Sequence, residues 1–326
     1  MAGAPKKRQF KRNDREVSFV TGANGKLGRA LIVELVKRGN EVRALIKSKD
    51  MILELPEGVL PYVGDLSDTN VLTEACEGAD SVFHLAATVS ESGITQEILR
   101  VNVEGTRNVL DACAKCKVKR IIYTSSVDVY GVKRKDIITE ESPLEPQDRY
   151  GYSKMLAERE IIEHKPRVPF TILRLSTIYG KGFEHTFFKV LKAIEEGKML
   201  IIGKGTNNLT LLNSKDAVNA MILARNCEGA KNEIFNISDG NVYQQEQMMD
   251  IAADMLGVPR PTIHLNEIVV KVIAKRKGMN TDELRYLVSN RNIDISKAKR
   301  VLGYKPKVDI MIGGKELVDE FLKRHV

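Results

Sequence analysis

The sequence has no apolar run of the ~18 residues a membrane span needs. Its most apolar helical candidate, residues 267–275, is short and carries Lys271 inside it. Such a segment reads as a packed helix, an oligomer contact or the wall of a lipophilic pocket. Cysteine is scarce, with only Cys76, Cys113, Cys116 and Cys227. That scatter excludes a disulfide framework and fits a reduced, cytoplasmic setting. Cys113 and Cys116 form a C-x-x-C inside a helical pattern. No second pair and no histidine cluster accompanies it, so no metal centre is expected. No H-E-x-x-H is present, and there is no internal repeat. What remains is ordinary globular composition, 43% hydrophobic and 29% charged. The length suits one large domain with an appended lobe, or two domains.

The net charge is +8. Much of it sits at the start, where Lys6, Lys7, Arg8, Lys11, Arg12 and Arg15 face one acid, Asp14. No apolar segment follows, so this is not a secretory signal. Residues 1–15 read as a solvated, disordered basic tail, not as an arm for nucleic acid.

Beyond the tail the pattern alternates. Val17–Val20 is a short β-branched run that ends in a glycine turn. From Leu27 the apolar residues Leu27, Leu31 and Leu35 recur on one helical face. Gly39-Asn40 ends that helix, and 42–46 is the next strand. Strands follow near 61–64, 81–86, 119–126 and 169–176, with a long helix over 94–115. Strand–helix alternation of this kind predicts an α/β fold with a doubly wound parallel Rossmann sheet. The rhythm weakens near 181, and one more strand is expected at 232–238. The expected division is a dinucleotide-binding domain over 16–180, with 203–239 returning to it. Residues 181–202 and 240–326 would form a smaller mixed substrate lobe.

Two short stretches carry chemistry. "TGANGKLG" places Gly22, Gly25 and Gly28 at intervals of three, after a strand and before a helix. The first permits the tight turn, the second lets a phosphate approach the backbone, and the third lets helix and strand pack closely. The helix N-terminus then offers N–H groups to a pyrophosphate. "RYGYSK" puts Tyr150 four residues before Lys154, on one helical face. Tyr152 has Leu156 at that spacing. An ammonium beside a phenol lowers its pKa from about 10, which suits acid–base work near neutral pH.

The glycine spacing resembles the short-chain dehydrogenase/reductase superfamily, and further motifs follow in order. "GDLSD" (64–68), "HLAA" (84–87), "VNVEGTRNVL" (101–110), "YTSSVDVYG" (123–131), "RYGYSK" (149–154) and "DISKAKRVLGYKP" (294–306) are similar to its extended type. The resemblance covers about residues 16–325. It implies a catalytic set of Ser126, Tyr150 and Lys154, supported by Asn102. Counting back from "VYG" selects Ser126 over Ser125. Tyr150 would protonate or deprotonate the reacting oxygen. Lys154 would tune the phenol and hold the nicotinamide ribose, and Ser126 would stabilise charge on the same oxygen. Cofactor contacts would come from Gly22, Gly25, Lys26, Leu27, Gly28, Lys47, Asp65, Leu66, Leu85, Ala86, Ala87, Tyr150 and Lys154. Substrate contacts would come from Thr88, Ser90, Ser126 and Thr177. No metal is implied.

The end of the second strand lacks the acid that would bind a ribose 2′-hydroxyl. Lys47 stands there, with Arg43 nearby, which points to NADP(H). NAD(H) remains the alternative through Asp50. Nucleotide-sugar members carry R-P-x-N-V-Y-G-P after the sixth strand and an arginine to grip a diphosphate. Here Leu175, Thr177 and Leu209 occupy those positions, and Lys204, Lys215 or Arg291 would have to compensate. The resemblance is nearest the 3β-hydroxysteroid-dehydrogenase-like and flavonol-reductase-like branch. It implies hydride transfer at a secondary alcohol or ketone carbon of a small to medium-sized substrate. The alternatives are a nucleotide-sugar epimerase or dehydratase with tightly bound NAD, and a non-catalytic nucleotide-binding or nucleic-acid-associated protein. Asp128 does not clearly match the dehydratase Asp-Glu pair. A homodimer built on the helices carrying Asn102 and Tyr150 is also implied.

Overall fold

The computed structural model describes residues 15–89, 95–164, 167–276 and 289–325. The expected basic tail, Arg15 apart, and the expected substrate residue Ser90 lie outside them. Seven strands form the central sheet. In chain order they are β1 (Val17–Thr21), β2 (Glu41–Ile46), β3 (Val59–Val63), β4 (Ser81–His84), β5 (Arg120–Ser126), β6 (Phe170–Leu175) and β7 (Glu233–Ile237). Their spatial order is β3-β2-β1-β4-β5-β6-β7, and every pairing is parallel.

Alternation along each strand builds two cores. Val20, Phe83, Ile122, Leu173 and Phe235 point to one face, where they meet Leu31 and Leu35 of α1 (Lys26–Lys37) and Met221 of α7 (Ser214–Asn226). Their neighbours Phe19, Val82, Ile121 and Ile172 point to the other. There they meet Leu72 of α2 (Thr69–Cys76), Val109 of α4 (Gly105–Lys115) and Ile161 of α5 (Arg149–Glu163). A strand buried on both faces reads as a continuous apolar run, which is why β1, β5 and β6 were legible.

Three boundaries differ from the sequence reading. β3 starts at Val59, two residues early. β4 stops at His84 because the chain beyond it serves side chains instead of a ladder. The Ala86 N–H donates to Thr21 Oγ1, and the Thr88 N–H donates to Asn102 Oδ1 at 2.8 Å. The long helix is interrupted: α3 (Thr95–Leu99) and α4 flank a π-helical turn at Arg100–Glu104 that holds Asn102. Such turns often mark functional sites.

Past β6 the chain forms smaller units. Thr177–Tyr179 pairs in parallel with Leu211–Asn213. Helices α6 (Glu184–Glu195), α8 (Gln245–Leu256) and α10 (Ile310–His325) pack together through Leu191, Met255 and Phe321. Phe188 meets Phe321 edge-on with ring centres 5.3 Å apart. The strand Asn290–Ile293 returns to pair with Lys133–Ile138, beside the end of β5. Helix α9 (Glu267–Arg276) leaves Ile268, Val269 and Val272 exposed.

Candidate active site

The glycine turn is closed by backbone contacts. Gly22 has φ +70°, and a side chain on it would meet Ala86 N at 2.7 Å. A Cβ on Gly28 would lie 2.1 Å from the Gly22 carbonyl oxygen. Gly25 caps α1 with no side-chain hydrogen bond, and the first turn of α1 holds no acid. Its N–H groups therefore suit an anion, and the turn fits the pyrophosphate of a dinucleotide.

A cavity of about 550 Å³ begins at this turn. Lys26, Leu27, Leu85 and Ala87 are among the residues that line it. Ser126, Tyr150, Lys154 and Thr177 line it too. These eight expected residues share one space. Thr88 and Ala86 stand beside it, and Thr88 is held at both ends of its backbone by Asn102. Asp65 and Leu66 lie outside its lining, on the turn between β3 and α2. Asp65 accepts from the Ser67 N–H and hydroxyl, which hold its carboxyl below the usual range. Leu66 is a core residue whose carbonyl accepts from Asn108 Nδ2 at 2.8 Å.

Helix α5 delivers Tyr150 and Lys154. Asp148 caps it, accepting from the Gly151 N–H at 2.8 Å. Lys154 is only 2% exposed, and its Nζ donates to the Thr124 carbonyl at 2.8 Å. The same Nζ lies 5.7 Å from the Tyr150 ring centre and 4.7 Å from that of Tyr123. Burial pushes its pKa down to about 7, and Glu158 pulls the other way. Tyr152 turns outward, 47% exposed.

A buried chain of hydrogen bonds joins the nucleotide turn to this helix. Thr21 Oγ1 meets His84 Nδ1 at 2.7 Å, and His84 Nε2 meets Thr106 Oγ1 at 2.9 Å. Thr106 donates to the Asn102 carbonyl at 2.7 Å, so the histidine proton sits on Nε2. Asn102 Nδ2 donates to Ser153 Oγ, and Ser153 donates to the Tyr150 carbonyl. Burial, with Lys154 adding to it, pushes His84 down to about 3, so the ring is neutral.

Two ion pairs were missed in the sequence. Glu158 takes the Ser125 hydroxyl and a forked pair of bonds from Arg174, at 3.0 and 2.7 Å. Arg174 in turn donates to Tyr130 Oη. Glu158 and Arg174 stand 16 residues apart on α5 and β6, so no helical spacing signals this pair. Asp128 pairs with Arg291 at 2.7 Å. No local pattern links residues so far apart in the chain.

Several expectations are corrected. Arg43 does not reach the end of β2; it caps α2 through the Ala75 and Glu77 carbonyls and pairs with Glu41. Lys47 is exposed just past β2. Lys215 is paired with Glu316, and Lys204 is not among the cavity residues. Arg291 lines the cavity but already grips Asp128. None of the described side chains of helix α9 lines the cavity. That wall is apolar instead through Phe187, Val190, Leu209, Met249 and Ile310, from α6, α8, α10 and the strand at 208–209.

Residues 18–238 match the family described as NAD dependent epimerase/dehydratase. The chain is 32% identical over 295 residues to 3beta-hydroxysteroid-dehydrogenase/decarboxylase isoform 1 of Arabidopsis thaliana. That match covers 81% of the chain and 67% of the plant protein, and the chain spans 53% of the second plant isoform. It is 29% identical to N-acetyl-alpha-D-glucosaminyl-diphospho-ditrans,octacis-undecaprenol 4-epimerase of Escherichia coli O157:H7, over 86% of the chain and 87% of that protein. Among solved structures, MoeE5 in complex with UDP-glucuronic acid and NAD superposes with a TM-score of 0.77 at 25% identity. The superposition covers 95% of this chain and all of MoeE5.

Proposed function

The chain belongs to the NAD dependent epimerase/dehydratase family, an extended short-chain dehydrogenase/reductase enzyme, and on that premise we propose that it oxidises or reduces a lipophilic secondary alcohol or ketone. The observation that carries this reading is the union of Ser126, Tyr150 and Lys154 with an apolar wall in one cavity. Leu209 belongs to that wall, where a diphosphate-gripping arginine would fall in sugar-nucleotide members.

Tyr150 gives or takes the proton of the carbinol oxygen. Lys154 places positive charge beside the phenol and holds the cofactor ribose. Ser126 hydrogen-bonds the reacting oxygen, and Asn102 fixes the strand end opposite α5. A nicotinamide, when bound, supplies or accepts the hydride. Gly22, Gly25, Lys26 and Gly28 hold its pyrophosphate, with Leu27, Leu85, Ala86 and Ala87 beside them. Asp65 and Leu66 would serve the adenine, and Thr88 and Thr177 the substrate. Lys47 favours NADP(H) by meeting a 2′-phosphate.

We assign residues 16–180 and 203–239 to the cofactor domain and 181–202 and 240–326 to the substrate lobe. A homodimer through α4 and α5 and a cytoplasmic setting complete the reading. The four free cysteines support the latter. The second reading is an epimerase that retains NAD. The Escherichia coli relative and the NAD-bound MoeE5 structure favour it.

Denaturing the purified protein and identifying any released nucleotide separates the two. NADPH and NADH are titrated into the same batch by fluorescence, and alicyclic ketones and alcohols are screened. An empty protein that turns over an alicyclic ketone supports the oxidoreductase. Retained NAD with no net turnover supports the epimerase.

A further inference from the structure

Tyr123 is a buried tyrosine on β5 that the chemistry above leaves unused. Its hydroxyl has no hydrogen-bond partner among the described residues. Burial, with Tyr150 and Glu158 adding to it, pushes the phenol well above its usual range, so it stays neutral. The ring, by contrast, has a clear neighbour. The Lys154 ammonium lies over its face, 4.7 Å from the centre, nearer than the 5.7 Å to Tyr150. Both distances fall within the ~6 Å over which a ring face attracts a cation, and the attraction is strongest where water is excluded. His84 packs against the same ring, with centres 5.5 Å apart, and holds it from β4.

The charged groups around Lys154 are engaged elsewhere. Glu158, one turn along α5, attracts it from outside contact. That carboxylate is taken by Arg174 and the Ser125 hydroxyl. On the turn after β5, Asp128 is taken by Arg291 and by the Ser126 hydroxyl, the latter at 3.0 Å. His84 is neutral. A carboxylate in contact would hold the ammonium but cancel the charge that Tyr150 needs. A ring face holds the ammonium and leaves its charge whole. One N–H goes to the Thr124 carbonyl, and the others stay available for the nicotinamide ribose.

We propose that Tyr123 is a positioning residue whose ring, and not its hydroxyl, holds the Lys154 ammonium beside Tyr150 without neutralising it. The use made of that charge rests on the oxidoreductase reading above; the contact itself does not.

The test follows Lys154 directly. Lysine carrying a carbon isotope label at Cε is titrated by NMR in nucleotide-free protein, and the Lys154 signal is identified by its loss in Lys154→Met. Tyr123→Phe keeps the ring and should keep the wild-type midpoint. Tyr123→Leu removes the ring face and should lower the midpoint by about one pH unit, a tenfold weaker hold on the proton. Fluorinated phenylalanines at the same position keep the shape and drain electron density from the ring face. With them the midpoint should fall stepwise as fluorine is added, which keeps the test intact if Tyr123→Leu does not fold.

Turnover supplies a second readout. Alcohol oxidation needs Tyr150 as a phenolate, so its rate climbs with pH. That climb should begin about one pH unit higher in Tyr123→Leu than in Tyr123→Phe. A Lys154 midpoint indifferent to both Tyr123→Leu and fluorination overturns this inference alone. A midpoint as low in Tyr123→Phe as in Tyr123→Leu overturns it too, by giving the role to the hydroxyl. If the midpoints move as expected while wild type oxidises no alicyclic alcohol, the oxidoreductase reading falls and the contact stands.

Discussion

The Lys154 ammonium lies 5.7 Å from the centre of the Tyr150 ring, one helical turn away and sealed from solvent. Its Nζ donates to the Thr124 carbonyl at 2.8 Å, and among the described residues no carboxylate is in ion-pair contact with it. A buried cation beside a phenol is the arrangement from which the first prediction comes.

Tyr150→Phe should cut turnover by about 10³-fold and leave nucleotide affinity within a few-fold of wild type. Steady-state rates and fluorescence titration on the same preparation check this. Unchanged turnover would remove Tyr150 from the chemistry.

Burial lowers Lys154 to about 7 in the folded protein, while the unfolded chain keeps the ordinary lysine value of 10.5. Between those values the unfolded state binds a proton that the folded state does not. The nucleotide-free protein should therefore gain stability from this group as pH rises from about 7 to about 10, by up to about 1.4 kcal/mol per pH unit. Below pH 7 that gain is absent. Urea unfolding across the range should show the slope in wild type, and Lys154→Met should flatten it.

Glu158 and Arg174 are 1% and 3% exposed, and each is the other's main partner. Glu158→Gln leaves a buried guanidinium unpaired and should cost about 3–5 kcal/mol. The double variant Glu158→Gln, Arg174→Met should recover much of that loss. Denaturant midpoints for the three variants settle the coupling.

A methyl group on Gly28 has no space, with the Gly22 carbonyl 2.1 Å from where it would sit. Gly28→Ala should cost about 3 kcal/mol and weaken NADPH and NADH alike. Gly39→Ala is the contrast. It meets no atom within 4 Å but has φ +81°, so it should destabilise by backbone strain alone and spare nucleotide affinity.

Lys47→Glu should shift the NADPH-to-NADH affinity ratio toward NADH by at least tenfold. Paired titrations read this directly. An unchanged ratio would remove Lys47 from nucleotide selection.

Much of the fold was legible because its signals are local. Val17–Thr21, Arg120–Ser126 and Phe170–Leu175 are apolar on both faces, and the turn at Gly22, Gly25 and Gly28 stands between a strand and a helix. The set of Ser126, Tyr150 and Lys154 was legible because its spacing is short or its motif distinct. Arg43 misled because sequence distance along β2 hides direction. Its side chain leaves from mid-strand toward α2, not from the strand end. The apolar stretch at 267–275 is a helix, as read, but hydrophobicity alone does not name its partner. The apolar wall of the cavity was illegible for a different reason. Phe187, Leu209, Met249 and Ile310 lie on separate elements, and only tertiary packing brings them together.

The return of Asn290–Ile293 to the strand at 133–138 also orders events during synthesis. Ser126, Tyr150 and Lys154 have all been made by the time β6 ends at Leu175. Arg291 follows 116 residues later, roughly 6–23 s at ribosomal speeds of about 5–20 residues per second. In that interval the Ser126 turn has its carboxylate but not the guanidinium that fixes it. A nascent chain halted before Arg291 can pair its sheet and still hold its serine unaimed.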